Sequence, residues 1–223
     1  MVNTLILGFS GPAGAGKDEA AITAHSILDS IGIPTQRYSF AFPLKEMCKF
    51  IFDMTDEELS ERELKEQVGR NTYGLTNRRV MQLLGTESFR EVFDENIWID
   101  VAERLISKGG SEICIISDVR FENEARWVKE NGILVHIDPT GREGFEVIKE
   151  VHASEAGYET EPDHIVENIG TVEEFRSQVG YLVNTSVVPL YKSIAQEVTD
   201  AMAEMNNIVS NIKGKYIGEK NGN

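Results

Sequence analysis

Cysteine is scarce in this sequence, basic residues are outnumbered, and no apolar run is long enough to cross a bilayer as a helix. Each shortage excludes something. With only Cys48 and Cys114, far apart and outside any C-x-x-C pair, neither a disulfide framework nor a zinc site is expected, and both thiols read as reduced and packed. Lysine and arginine total 22 against 37 acidic residues, a net charge of −15 that repels a nucleic-acid polymer unless the cations gather in one cleft. There is no internal repeat and no low-complexity tract. The N-terminus enters a strand directly, without a basic flank, apolar stretch and cleavage site, so the expected location is cytoplasmic.

What is present is an ordinary globular composition, 41% hydrophobic and 26% charged over 223 residues, enough for one α/β domain with inserted helices. Residues 5–9 predict a strand that enters a glycine-rich turn, and 17–31 carry apolar residues at helical spacing. A second strand is expected at 36–40, followed through Pro43 by a helix. Thr55 and Glu58 form a capping box before a charged helical stretch, 56–67. Further helices are expected at 76–84, stopped by Gly85, at 97–107, closed by Gly109 and Gly110, and at 121–131, stopped by Gly132. Strands at 113–117, 133–137 and 164–166 alternate with them, which argues for a parallel sheet covered on both faces. Between 138 and 157 the pattern lapses amid turn residues, as in a lid or binding loop. Thr171 and Glu174 then open a last helix with a second capping box.

Gly11-Pro12-Ala13-Gly14-Ala15-Gly16-Lys17 satisfies G-x-x-x-x-G-K between a predicted strand and a predicted helix. Small residues let backbone N–H groups turn inward around a polyphosphate, the helix N-terminus adds partial positive charge, and Lys17 can reach the β and γ phosphates. Asp18 stands where Ser or Thr normally offers a hydroxyl to magnesium. A carboxylate there can serve a hard cation directly or through water, or it can merely favour the first helical turn.

Phosphoryl transfer is mostly positioning and electrostatics, so a second set of cations is needed for the acceptor. Lys45, Arg78, Arg79 and Arg120 fall at predicted element ends, and Arg142 falls in the lid segment. On a helical wheel Val80, Leu83 and Leu84 share one side, while Arg78 and Gln82 share the other, a cation beside an amide that could read a base edge. Asp118 ends a buried strand, at the crevice edge of a parallel sheet; it could hold magnesium-bound water or fix Arg120.

SGPAGAGKD, AFPLKEM, RRVMQLLGTE followed by Trp98, SDVRFENEA, HASEAG and DHIVENIGT, in this order, resemble the bacteriophage deoxynucleoside monophosphate kinases, from the first strand to about Val179. The resemblance implies an α/β fold of the P-loop nucleoside monophosphate kinase type: three layers, a five-stranded parallel sheet, a helical monophosphate-binding insertion at about 41–108 and a lid at about 138–157 within a domain 1–180. ATP with Mg²⁺ is the implied donor. Gly11, Gly14, Ala15, Gly16, Lys17, Asp18 and Asn168 would hold ATP, with Asn168 near adenine. Phe40, Lys45, Arg78, Arg79, Gln82, Trp98 and Arg120 would line the monophosphate site. Catalysis would fall to Lys17, Asp18, Asp118, Arg120 and Arg142, with Asp18 and Asp118 toward the metal. His152 belongs to HASEAG, where a structural hydrogen bond is expected of it.

Other readings compete. The G-K-D ending, with Asp118 and Arg120 as D-x-R, is also similar to animal-type phosphomevalonate kinases, and a dephospho-coenzyme A-like acceptor fits the same logic. Asp138-Pro139-Thr140-Gly141 matches the loose D-x-x-G of GTP switches, but no N-K-x-D for guanine accompanies it. Beyond the kinase region, residues 181–223 form a C-terminal helix and tail. Tyr191, Ile194, Val198, Ala201, Met205, Ile208 and Ile212 recur at spacings of three and four, an apolar seam that either lies on its own domain or pairs with a second copy as a homodimer.

Overall fold

The computed structural model describes residues 4–145 and 157–218, with 211–218 as backbone alone. At its centre is β1 (Leu5–Ser10), buried at all six positions because the sheet is covered on both faces. β3 (Ile113–Val119) and β4 (Gly132–Asp138) flank it, and β2 (Thr35–Tyr38) and β5 (His164–Glu167) form the edges, in the order β2-β3-β1-β4-β5. All four pairings are parallel, with Leu7 opposite Ile115 on one side and Ile133 on the other. This is the expected five-stranded parallel sheet. The chain leaves β1 toward β3 and β2, then returns across β1 to β4, so the loops after β1 and β3 open at the point where strand order reverses.

α1 (Lys17–Ser30) follows the glycine-rich turn, α7 (Glu122–Asn131) crosses from β3 to β4, and α8 (Val172–Leu182) follows β5. Between β2 and β3 lies the helical insertion: α2 (Phe42–Phe52), α3 (Asp56–Ser60), α4 (Arg62–Lys65), α5 (Asn77–Gln82) and α6 (Ile97–Gly109). Leu44, Cys48, Leu59, Val80 and Trp98 from these helices join Ile116 and Leu134 of the sheet in one core, so the insertion is packed onto the domain. Burial pushes the Cys48 thiol up to about 11 and the Cys114 thiol up to about 12, so both stay protonated and packed.

Two helix expectations are corrected. The charged stretch 56–67 splits at Glu61, whose extended backbone (ψ 133°) separates the capping-boxed α3 from α4. Gly85 does not stop a helix. The chain continues from α5 through π-helical turns over Leu83–Arg90, and a Cβ on Gly85 would lie 2.8 Å from Leu44 Cδ2. Glycine is there so that α2 can approach closely, with Gly85 O accepting from Trp98 Nε1 at 2.8 Å. β3 also runs two residues past Ser117, which puts Asp118 inside the strand.

After 146–156, which lie outside the described residues along with His152, the chain is pinned at 158–160. The Tyr158 hydroxyl bonds Ser10 Oγ, which also lies 3.2 Å from His136 Nδ1. The Glu122 carboxylate accepts from Glu159 N (2.8 Å), Thr160 N (3.1 Å) and Thr160 Oγ1 (2.7 Å). Those donors hold the carboxyl down to about 2. Because the folded value lies below the ordinary one, this contribution to stability is complete above about pH 4.5 and fades as pH falls toward about 2. Glu122→Gln is therefore expected to flatten the acid limb of a melting-temperature profile across that window; an unchanged limb would show that the anchor contributes nothing.

The chain divides into two compact units, Met1–Tyr181 and Leu182–Asn223. The second is helical, π turns over Val183–Val187 continuing into α9 (Val188–Gly218). Along α9 Ile194, Val198, Met202, Met205 and Ile208 are all exposed. Among the described residues no helix is long and apolar enough to cross a membrane.

Candidate active site

The loop after β1 is shaped by glycines that no other residue could replace. Gly11 and Gly16 have φ of 137° and 104°, and a Cβ would stand 2.5 Å from Ile137 O at the first and 2.5 Å from Asn168 Nδ2 at the second. β4 and the segment after β5 thus wall the loop closely, while α1 begins at Lys17 with its N-terminus directed at it. Lys17 Nζ donates to Gly11 O and Pro12 O, both at 2.8 Å, resting on the loop that it would serve. Arg142 arrives from the other side: Nη2 donates to Gly14 O at 2.9 Å, and the guanidinium sits 5.0 Å from the Phe145 ring centre. The structure therefore brings Lys17 and Arg142 onto one loop.

Asn168 is buried, its Nδ2 donates to Ala15 O at 2.7 Å and its N–H donates to Asp138 O at 2.7 Å. The Nδ2 donor braces the loop from the segment after β5.

The two aspartates also part company. Asp18 is exposed at the start of α1, its Oδ1 accepting from Ser117 Oγ at 2.7 Å, with Oδ2 having no partner among the described residues. This carboxylate and hydroxyl are hard oxygen donors of the kind that suit Mg²⁺ directly or through water. Asp118 instead accepts from Ser39 Oγ (2.7 Å) and Ala41 N (3.0 Å) on Oδ2 and from Phe40 N (2.9 Å) on Oδ1. It clamps the turn from β2 into α2, so its expected place as a metal ligand is corrected to a positioning one. Among the described residues no group of three His, Cys, Asp or Glu side chains forms a metal cage.

The cations expected at the acceptor sit on three elements: Lys45 on α2, Arg78 and Arg79 on α5, and Arg120 on the turn after β3. Arg79 is paired with Glu87 and Arg78 with Glu66. Gln82 is half-buried, and its amide has no hydrogen-bonding partner among the described residues. Phe40 and Trp98, expected against the monophosphate, lie in the core at 4% and 5% exposure. Phe40 packs edge-on to Trp127 and Trp98 against Phe89, so both rings belong to the core.

The sequence reading missed four residues. Ser117 was hidden at a strand end. Arg90 and Glu124 form a buried ion pair at 8% and 2% side-chain exposure, in which Glu124 Oε2 also accepts from Arg120 N (2.9 Å) and Phe121 N (3.1 Å). Burial pushes the Glu124 carboxyl up to about 7 against the pull of Arg90. Only the Glu124 position, three residues after Phe121, carried a local signal, as a helix-start glutamate. Lys65, the fourth, looked like one more solvated charge in an acidic helix.

A family model for deoxynucleotide monophosphate kinase matches residues 44–179. A protein of Acanthamoeba polyphaga mimivirus named as a deoxynucleotide monophosphate kinase is 32% identical over 193 residues, covering 78% of this chain and 94% of its own. The deoxynucleoside-5'-monophosphate kinase of Escherichia phage T5 is 27% identical over 217 residues, covering 69% of this chain and 85% of its own. Among solved structures, an APS kinase of Mycobacterium tuberculosis aligns with 82% of this chain and 98% of its own at 13% identity and a TM-score of 0.40, too loosely to carry an argument. With a match over more than half its length, lying on the insertion, β3, α7 and the Asn168 loop just described, the chain belongs to the deoxynucleotide monophosphate kinase family.

Proposed function

We propose that this chain transfers the γ-phosphoryl group of ATP to a deoxynucleoside monophosphate, with the triphosphate on the loop of residues 11–17 and the acceptor's phosphate among Lys45, Arg78 and Arg120. The observation that carries this reading is the presence of two separate cation sets, Lys17 and Arg142 at the loop and the others on the insertion and the β3 turn, in a chain whose net charge is −15. In-line attack by an acceptor phosphate oxygen needs positioning and charge neutralisation more than a base. Lys17, Arg142 and Arg120 spread the charge that develops on the transferring group. Mg²⁺, held by Asp18 with Ser117 nearby, would neutralise the β and γ oxygens. Asp118 fixes the N-terminus of α2 and thereby the helix that carries Lys45; Asn168 keeps the loop open. Gln82 is free to read the base edge.

The test offers labelled ATP with each deoxy- and ribonucleoside monophosphate, phosphomevalonate and dephospho-coenzyme A, and separates products by chromatography. A deoxynucleoside diphosphate should form fastest. Tight nucleotide binding without any diphosphate product would point instead to a switch module.

We place the reaction in the cytoplasm, on small molecules and not on polymer, and assign the α9 seam to contact with a second copy. A chain ending at Val183 is then expected to sediment as a monomer and retain the kinase activity of the full chain, which should sediment as a dimer. A monomeric full chain would rule out the pairing.

A further inference from the structure

Lys65 ends α4, and the residues after it are tied to the start of α5. Asn77 Nδ2 donates to Leu64 O at 3.0 Å, Asn77 N donates to Gln67 O at 3.0 Å, and Val68 pairs with Thr76. These bonds hold Lys65 beside the N-terminus of the helix that carries Arg78, while the next residue, Glu66, pairs with Arg78. The side chains of Lys65 and Lys45 are both half-buried, and neither ammonium has a hydrogen-bond or ion-pair partner among the described residues. The charged groups that act most strongly on Lys65 are Lys45 from α2, Arg78 from α5 and Arg120 from the turn after β3, with the Asp18 carboxylate of α1 opposing them, and Glu66 is its chain neighbour.

A lysine in a charged helix ordinarily turns its ammonium to water. This one is half-buried within the field of three other cations, in a protein with 37 acidic residues. Glu66 compensates Arg78, but the Lys65 and Lys45 ammonium groups have no ion-pair partner among the described residues, and a nearby anion would favour the charged form of both. The four cations come from α2, α4, α5 and the end of β3, so the insertion and the core both contribute to the cluster.

We propose that Lys65 is a direct ligand of the acceptor's phosphate, completing with Lys45, Arg78 and Arg120 a cage for a dianionic phosphomonoester. The identity of that phosphomonoester rests on the function proposed above; the cage does not. Burial, then the neighbouring cations, holds the Lys65 ammonium down to about 8, so it is charged at neutral pH but gives up its proton readily when no anion is present.

The test compares the full-length protein with Lys65→Met and Lys65→Arg, with ATP and deoxynucleoside monophosphate varied separately. Lys65→Met is expected to raise KM for the monophosphate by about tenfold or more, as befits loss of one charge-assisted bond. KM for ATP and the melting temperature should stay within error, and Lys65→Arg should recover most of the loss. The inhibition constant of the corresponding deoxynucleoside, which lacks the phosphate, should be the same in all three proteins. The alkaline limb of kcat/KM, near pH 8 in the wild type, should move upward in Lys65→Arg. An unchanged monophosphate KM in Lys65→Met, or an equal loss of deoxynucleoside affinity, would overturn the inference. If no deoxynucleoside monophosphate is turned over by the wild type, the kinase reading fails separately. Calorimetric titration with inorganic phosphate then decides on Lys65: binding weakened in Lys65→Met supports the cage, and binding not weakened, or absent from the wild type, refutes it.

Discussion

Replacing Lys17 with alanine is expected to lower kcat by about a thousandfold, or about 4 kcal/mol of transition-state stabilisation, while the fold survives. The ammonium, on the first residue of α1, donates to the carbonyls of Gly11 and Pro12 at the loop and not to a group in the hydrophobic core. The melting temperature should hardly move. Lys17→Arg should rescue poorly, because a planar fork cannot repeat what a compact point charge does between two phosphates. Steady-state kinetics with ATP varied, beside a thermal melt of each variant, checks this. A Lys17→Ala enzyme with near-normal kcat and a normal melt would falsify the assignment of the loop to the transferred phosphoryl group.

Truncating Glu124 to alanine is expected to destabilise the folded protein by about 3–5 kcal/mol, because it strands the Arg90 guanidinium without its counter-charge. In a domain of this size that corresponds to a fall in melting temperature of about 10 °C or more. The pair sits at 2% and 8% side-chain exposure, with the guanidinium also donating to Glu95 O at 2.6 Å and lying 3.9 Å above the Phe121 ring. Activity should fall further than stability alone requires. Glu124 holds the backbone N–H of Arg120, so its loss frees the turn that aims the cation proposed for the acceptor phosphate. Replacing both partners by apolar residues, Arg90→Met with Glu124→Leu, should restore much of the stability but not the activity, since a packed apolar pair is tolerated where a lone charge is not. A single variant as stable as the wild type would show that water reaches the pair and that it is not the strut described.

The glycine loop was legible from residues 11–17 because its chemistry is local. A run of small residues between a strand and a helix has few other uses, and Lys17 follows directly. The parallel sheet was legible too, since strands buried on both faces read as continuous apolar runs, as in ICII within β3. Both capping boxes were visible for the same reason; each is a contact between residues three apart.

Side chains whose partners lie far along the chain were not legible in that way. Gly85 read as a helix stop and proved to be a close-packing position, because the clashing atom belongs to Leu44 on another helix. Asn168 was expected near adenine, and its brace on Ala15, a residue 153 positions earlier, left no local trace. Asp118 read as a metal ligand and is occupied by the turn at Ser39, 79 positions away. Lys65 and the Arg90–Glu124 pair could not be told from surface charges until the insertion was folded against the core.

Taken alone, the sequence determined the phosphate loop, the strand and helix alternation and the family, all of which depend on neighbours within a few residues. The tertiary structure alone decided which carboxylate is left open beside the loop, which cations face one another, and which polar groups serve as struts. Those outcomes depend on burial and on contacts closed across the sheet, and the pattern of residues along one element carries no record of what lies on the next.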